Sequence, residues 1–175
     1  MSSSSTGNTS NAAVSVPPSK KITLKTGDNT YFHVEESIAM EMATVRTFLS
    51  DDDAEAGTAF PVPNVSAKYM SLIIQYIEEQ LKFRADSERQ EEKFKYDAKF
   101  VEVLGDEELK EILLAVHYLE IKSFLDMLYQ AVADRIKNWS VERVRAFFGI
   151  DNDVSPEEEA ENRREYAWVH EDVEN

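Results

Sequence analysis

The chain has 175 residues, enough for one domain with a helical extension, and no cysteine, which excludes disulfides, thiolate metal sites and cysteine nucleophiles. Its 19 Lys and Arg against 34 Asp and Glu give a formal net charge of −15; such a surface repels phosphate backbones and anionic membranes and suits basic protein surfaces. No apolar run reaches the length of a membrane span and no signal-peptide pattern opens the chain, so the expectation is a protein of nucleus and cytoplasm with no nucleic-acid or membrane partner.

Residues 1–19 are rich in Ser, Thr and Asn and end in Pro17-Pro18-Ser19; nothing there can build a core, which predicts a disordered tail. From Lys20 the pattern changes. Ile22 and Leu24 alternate with polar residues, as do Phe32 and Val34, around Thr26-Gly27-Asp28-Asn29. That is a β-hairpin, since Asp and Asn tolerate the positive φ of a tight turn. Ser37–Leu49 shows helical spacing through Ile38, Met42, Val45 and Leu49, and an acidic loop, Asp51–Thr58, follows. Phe60-Pro61-Val62-Pro63-Asn64-Val65 must be extended, and its prolines confine it to an edge or a short strand. Ser66 is a suitable N-cap for a helix with Tyr69, Leu72, Ile73, Tyr76 and Ile77 on one face, ending near Phe83.

Residues 84–95 are polar and mixed in charge and read as a loop or a frayed helix with a solvated face. Asp97 would then cap a short helix carrying Phe100, Val101 and Leu104. The segment Glu107–Lys137 organises the rest. Its first half is apolar almost all round, which predicts a helix covered in front and behind. The short break at Glu120-Ile121-Lys122 turns it into a helical hairpin. The second helix carries Phe124, Leu125, Leu128, Val132 and Ile136 on one face. Asn138-Trp139-Ser140 interrupts the pattern, and Ser140 can cap a helix bearing Val141, Val144, Phe147 and Phe148. Ser155-Pro156-Glu157-Glu158 is the sharpest start signal, with Ser at N-cap, Pro at N1 and Glu at N3. The helix it opens, running toward Trp168, is too polar to bury much of itself. Residues 151–175 hold ten acids and two arginines, a net of −8. Trp168 there is either an anchor on its own domain or an exposed hot spot for a partner.

No catalytic constellation stands out. His33, His117 and His170 lie in three separate elements without metal-ligand spacing. With 5 glycines there is no phosphate-cradling loop. His33 should point outward from the hairpin and His117 should lie at a helix rim. The composition points to a binding module, not an enzyme, with no cofactor and no metal.

Several stretches resemble the Skp-type adaptor family, the linker subunit of Skp–cullin–F-box ubiquitin ligases. Ile22-Thr23-Leu24-Lys25-Thr26 resembles its first strand, and Pro61-Val62-Pro63-Asn64-Val65 its P-L-P-N-V segment. Asp97 and Phe100 match a W-D-x-x-F stretch with Tyr96 in place of the tryptophan. Residues 113–122 resemble I-L-A-A-N-Y-L-x-I-K. Val144-Arg145, Phe148, Ile150, Asn152-Asp153 and Ser155 to Glu159 follow I-R-x-x-F-x-I-x-N-D-F-[ST]-P-E-E-E, and Arg164-Glu165 with Trp168 match R-E-N-x-W. The matches run in order from about Lys20 to Glu171.

The resemblance implies an α+β fold: a BTB/POZ-type α/β domain over residues 20–134 and C-terminal F-box-binding helices over 135–175. It implies a non-catalytic adaptor bridging an F-box protein to a cullin, with a homodimer possible when unpartnered; the alternatives are an F-box-binding protein outside the ligase that has lost cullin binding, and a self-associating BTB-type scaffold. By position, His117 and Tyr118 fall at the cullin contact. Leu125, Leu128, Val144, Phe148 and Trp168 fall at the F-box groove, although the first four fit an internal core equally well. The chain departs from the family at His117 (Asn there), at Asn138-Trp139 (Gly-Lys there), at Tyr166 (Asn there) and at Asn29 (Gly there), and carries an extra residue near Leu104-Gly105-Asp106. These departures mark a divergent paralogue.

Overall fold

Alternating apolar residues make the sheet. In the computed structural model, which describes residues 20–50 and 58–167, strand β1 (Lys21–Thr26) turns its buried Ile22, Leu24 and Thr26 to one side and Lys21, Thr23 and Lys25 to the other. Strand β2 (Tyr31–Glu35) pairs with it antiparallel, Ile22 opposite Val34 and Leu24 opposite Phe32. Asn29 has a φ of 62° in the turn between them, which is the positive φ expected of an Asn there. Strand β3 (Phe60–Val62) lies parallel to β1 on the far side, giving the order β2-β1-β3. The proline-flanked strand is indeed an edge strand.

The expected helix over 37–49 is two helices. Helix α1 (Glu36–Ala39) and helix α2 (Ala43–Ser50) are separated by a tight step in which Glu41 N–H bonds the Ile38 carbonyl at 3.2 Å and Met42 N–H bonds the Ala39 carbonyl at 3.1 Å. The step places Met42 fully inside with Ile38, Ala39 and Val45. The acidic loop expected at 51–58 lies, but for Thr58, outside the described residues, as do the tail at 1–19, Trp168 and His170.

Helix α3 (Ala67–Ala85) runs two residues past Phe83. The stretch read as a loop or frayed helix is mostly ordered: a 3-10 turn at Ser87–Arg89 leads into helix α4 (Gln90–Glu102). Its charges are spaced for helical pairing, Arg89 with Glu92 at 2.6 Å, Lys95 with Glu91 at 2.7 Å and Lys93 with Asp97 at 2.7 Å. Asp97 is therefore interior to α4 and caps nothing. It accepts hydrogen bonds from the Tyr76 hydroxyl at 2.9 Å, Gln80 Nε2 at 2.7 Å and Lys93 Nζ at 2.7 Å, joining α4 to α3. Burial pushes the Tyr76 hydroxyl far above the ordinary tyrosine range, and the Asp97 charge adds to it.

Helix α5 (Asp106–Leu119) buries Leu109, Ile112, Ala115, Val116 and Leu119. It is not covered all round, because Leu114 is 58% exposed. Glu120 takes a left-handed φ of 54°, and the Glu120 and Ile121 N–H groups bond back to the carbonyls of His117 and Val116, closing the helix. Helix α6 (Lys122–Ile136) returns beside α5 and buries Phe124, Leu128 and Val132. Phe124 stacks on Tyr76 with ring centroids 3.7 Å apart, so the helical hairpin and α3 share one core. A domain division between residues 134 and 135 would fall inside α6. The sheet with its covering helices is an α+β fold with a helical extension, the architecture that the resemblance implies. That extension comprises helix α7 (Val141–Phe148) and helix α8 (Pro156–Glu165). Both caps form as their residues require: Ser140 Oγ accepts from the Arg143 N–H, and Ser155 with Glu158 makes a capping box.

Candidate partner-binding surfaces

The first surface lies at the C-terminal half of α5. Leu114, His117 and Tyr118 are three and four residues apart and share one face of the helix. Leu114 and His117 are exposed and Tyr118 is half-buried. The Thr44 hydroxyl donates to the Tyr118 carbonyl at 2.8 Å, fixing α2 against the end of α5. A concavity of about 310 Å³ opens beside this corner, lined in part by Arg46, Arg84, Glu120 and Lys122. Arg84 forms a two-pronged pair with Glu41 at 2.7 and 3.1 Å, which raises the pKa of its guanidinium.

The second candidate surface is the set of apolar residues that α6 and α7 leave outside the core. On α6, Leu125 is half-buried and Tyr129, one turn on, is 48% exposed. On α7, Val144 is half-buried, and Val141 and Phe148 are 47% and 42% exposed. Ile150 beyond the helix is 58% exposed. Leu128 differs from the rest: none of its surface is exposed. It belongs to the core, the second of the two places its sequence left open, because α6 turns residue 128 to the same side as the buried Phe124 and Val132. Tyr129, Val141 and Ile150 are exposed apolar residues that the sequence reading did not assign to a groove. For Tyr129 the signal was its spacing, four residues after Leu125.

Helix α8 has no buried residue. It is held to α7 by Arg163 with Glu142 and by Arg145 with Glu159 at 3.4 Å, and to the connecting segment by Asn152 Nδ2 with Glu159 at 3.5 Å. Exposed pairs of this kind hold a helix weakly. Glu158 stays ionised below the usual carboxylate range because the Ser155 N–H and hydroxyl both donate to it. The arrangement can supply apolar contact area and an acidic rim. Among the described residues, no group of three or more His, Asp or Glu side chains is placed to hold a metal ion, and no helix is long and apolar enough to cross a membrane.

Comparison with known proteins gives two family matches: the Skp1 family tetramerisation domain over residues 20–82 and the Skp1 family dimerisation domain over residues 122–169. The second begins at the first residue of α6. SKP1-like protein 14 of Arabidopsis thaliana is 38% identical, over 87% of this chain and 99% of its own length. SKP1-like protein 1A of the same plant is 37% identical, over 87% of this chain and 98% of its own. SKP1-like protein 20 of Oryza sativa subsp. japonica is 38% identical, over 86% of this chain and 94% of its own.

Proposed function

The chain belongs to the Skp1 family, and from that premise we propose that it is a non-catalytic adaptor of a cullin-based ubiquitin ligase. In this reading residues 20–134 serve as the cullin-docking unit, and residues 135–175, extended back along α6 to include Leu125, as the F-box-binding unit. The α6–α8 surface takes the F-box of a substrate receptor through Leu125, Val144 and Phe148, joined by Trp168. The α5 corner takes a cullin through His117 and Tyr118. The observation that carries the reading is the exposed apolar set on α6 and α7, beside a helix, α8, that buries nothing of its own. Such a surface is completed by a second chain. The work is geometric, holding receptor and cullin at fixed separation with no bond made or broken.

The test is to mix the purified protein with an F-box domain and a cullin N-terminal domain and follow assembly by size-exclusion chromatography with light scattering. A one-to-one-to-one complex is expected; no complex with either component would sink the proposal. A second reading, an F-box-binding protein outside the ligase, is favoured by one observation: His117 stands exposed where the family has Asn. A binary complex that takes up cullin only after His117→Asn would decide for it. A third reading, a self-associating scaffold, would give a homodimer that ignores F-box segments, and light scattering of the isolated chain tests it.

A further inference from the structure

We propose that Trp139 is a positioning residue for the α6–α8 surface, holding α7 in its binding conformation before a partner arrives. The inference rests on the F-box reading above. Trp139 sits at the turn after α6, its backbone N–H bonded to the Ile136 carbonyl at 2.9 Å. The Arg143 guanidinium lies 4.0 Å from the centre of its ring. Phe147 meets the ring edge-on at 5.6 Å, and Phe148 in turn meets Phe147 edge-on at 4.9 Å. The indole thus touches both residues that fix the rotation of α7, and through Phe147 it sets where the exposed Phe148 stands.

The same contacts reach the body of the protein. Asp106, at the start of α5, is 3.9 Å from Arg143 and 3.1 Å from Arg135. Arg135 also donates to the carbonyls of Leu104 at 2.9 Å and Val101 at 3.3 Å. Arg143 is therefore gripped between an aromatic face and a carboxylate that is itself anchored. Such a grip matters because α7 has 8 residues and buries only Phe147. A helix that short does not persist by its own hydrogen bonds. Its order depends on what it leans against, and Trp139 is the largest such group at its start.

The consequence is kinetic. When only part of the free population has α7 in place, apparent affinity and association rate fall by that fraction, while the complex, once formed, leaves at its own rate. Trp139 therefore acts on association. A residue that contacted the partner directly would act on dissociation.

The experiment uses the full chain, an F-box domain and surface-based kinetics, with amide hydrogen exchange on the free protein. Trp139→Ala is expected to slow association about tenfold at unchanged dissociation, and to speed exchange in α7 while α5 stays protected. Trp139→Phe, which restores an aromatic face, should recover association to within about threefold. Arg143→Met, which keeps the stem and removes the charge, should show a weaker form of the Trp139→Ala effect. Unchanged association of Trp139→Ala overturns the inference, as does a defect confined to dissociation. Failure of the wild-type chain to bind any F-box domain removes the F-box reading and this inference together. Normal binding by both wild type and Trp139→Ala removes this inference alone.

Discussion

Asp28, in the turn of the β1–β2 hairpin, accepts a hydrogen bond from the Ala67 N–H at 2.9 Å, across 39 residues of sequence. Ser66 occupies the N-cap of α3, but its side chain makes no capping bond; the carboxylate from the hairpin serves the helix start instead, while its other oxygen accepts from the Thr26 hydroxyl. The turn and α3 are thereby one unit. Asp28→Ala should lower the melting temperature clearly, and Ser66→Ala should lower it much less. Thermal melts of the two variants check this, and equal losses would contradict it.

The pH dependence follows from carboxylates held below their ordinary range, Glu142 among them. The Thr26 hydroxyl and Ala67 N–H hold Asp28 below its ordinary range, the Lys68 ammonium and Gly105 N–H do so for Glu108, and the Ser155 backbone and hydroxyl do so for Glu158. A carboxyl with a depressed folded-state pKa gives stability that is present above the unfolded value, about 4, and lost as pH falls through the folded value. Melting temperature should thus be flat above about pH 5 and fall below it. The triple variant combining Asp28→Asn, Glu108→Gln and Glu158→Gln should melt lower at neutral pH and lose part of that slope. An unchanged slope in that variant would assign the acid loss to other carboxylates.

Gly27 is a second fixed point of the turn. A Cβ there would sit 2.2 Å from the Pro63 carbonyl oxygen, and the Gly27 N–H bonds the Val65 carbonyl at 3.0 Å. Backbone stands against backbone, so no side chain can swing aside. Gly27→Ala should cost on the order of 1–3 kcal/mol in denaturant unfolding. A neutral result would mean that the β3 segment yields.

The Asp97 junction is the polar link between α3 and α4. Asp97→Ala strands the buried Tyr76 hydroxyl and the Gln80 amide, and should cost about 2–3 kcal/mol. Tyr76→Phe leaves Asp97 with Gln80 and Lys93 and keeps the stack on Phe124; it should cost about 1 kcal/mol. Urea unfolding of both variants ranks them, and a larger loss for Tyr76→Phe would contradict this account.

Core and surface separate on neighbouring helices. Leu128→Ala should cost about 2–5 kcal/mol of stability and leave F-box affinity little changed at temperatures where the protein stays folded. Phe148→Ala should barely move the melt and weaken F-box binding by about 1–2 kcal/mol, roughly five- to thirtyfold. Calorimetric titration beside thermal melts separates the two effects, and a reversed pattern would exchange their roles.

Local patterns in the chain determined most of the elements. Alternation of Ile22, Leu24, Phe32 and Val34 dictates a hairpin, Pro61 and Pro63 dictate an edge strand, and Ser140 and Ser155 with Pro156 dictate two helix starts, because each is a constraint acting within a few residues. The resemblance of residues 61–65, 113–122 and 144–159 was equally legible, since it is carried by sequence alone. Tertiary structure decided what depends on distant neighbours. It set that Leu128 faces the core and Tyr129 the solvent, since both are apolar and only the packing of α6 on α5 and α3 chooses between them. It broke the helix at Met40–Met42 so that Met42 could be buried, and it turned Asp97 from an apparent cap into a three-way acceptor. Trp139 shows the division most clearly. Its place after α6 is plain from the sequence, but its grip on Arg143 and Phe147 exists only because the chain folds α7 back across it.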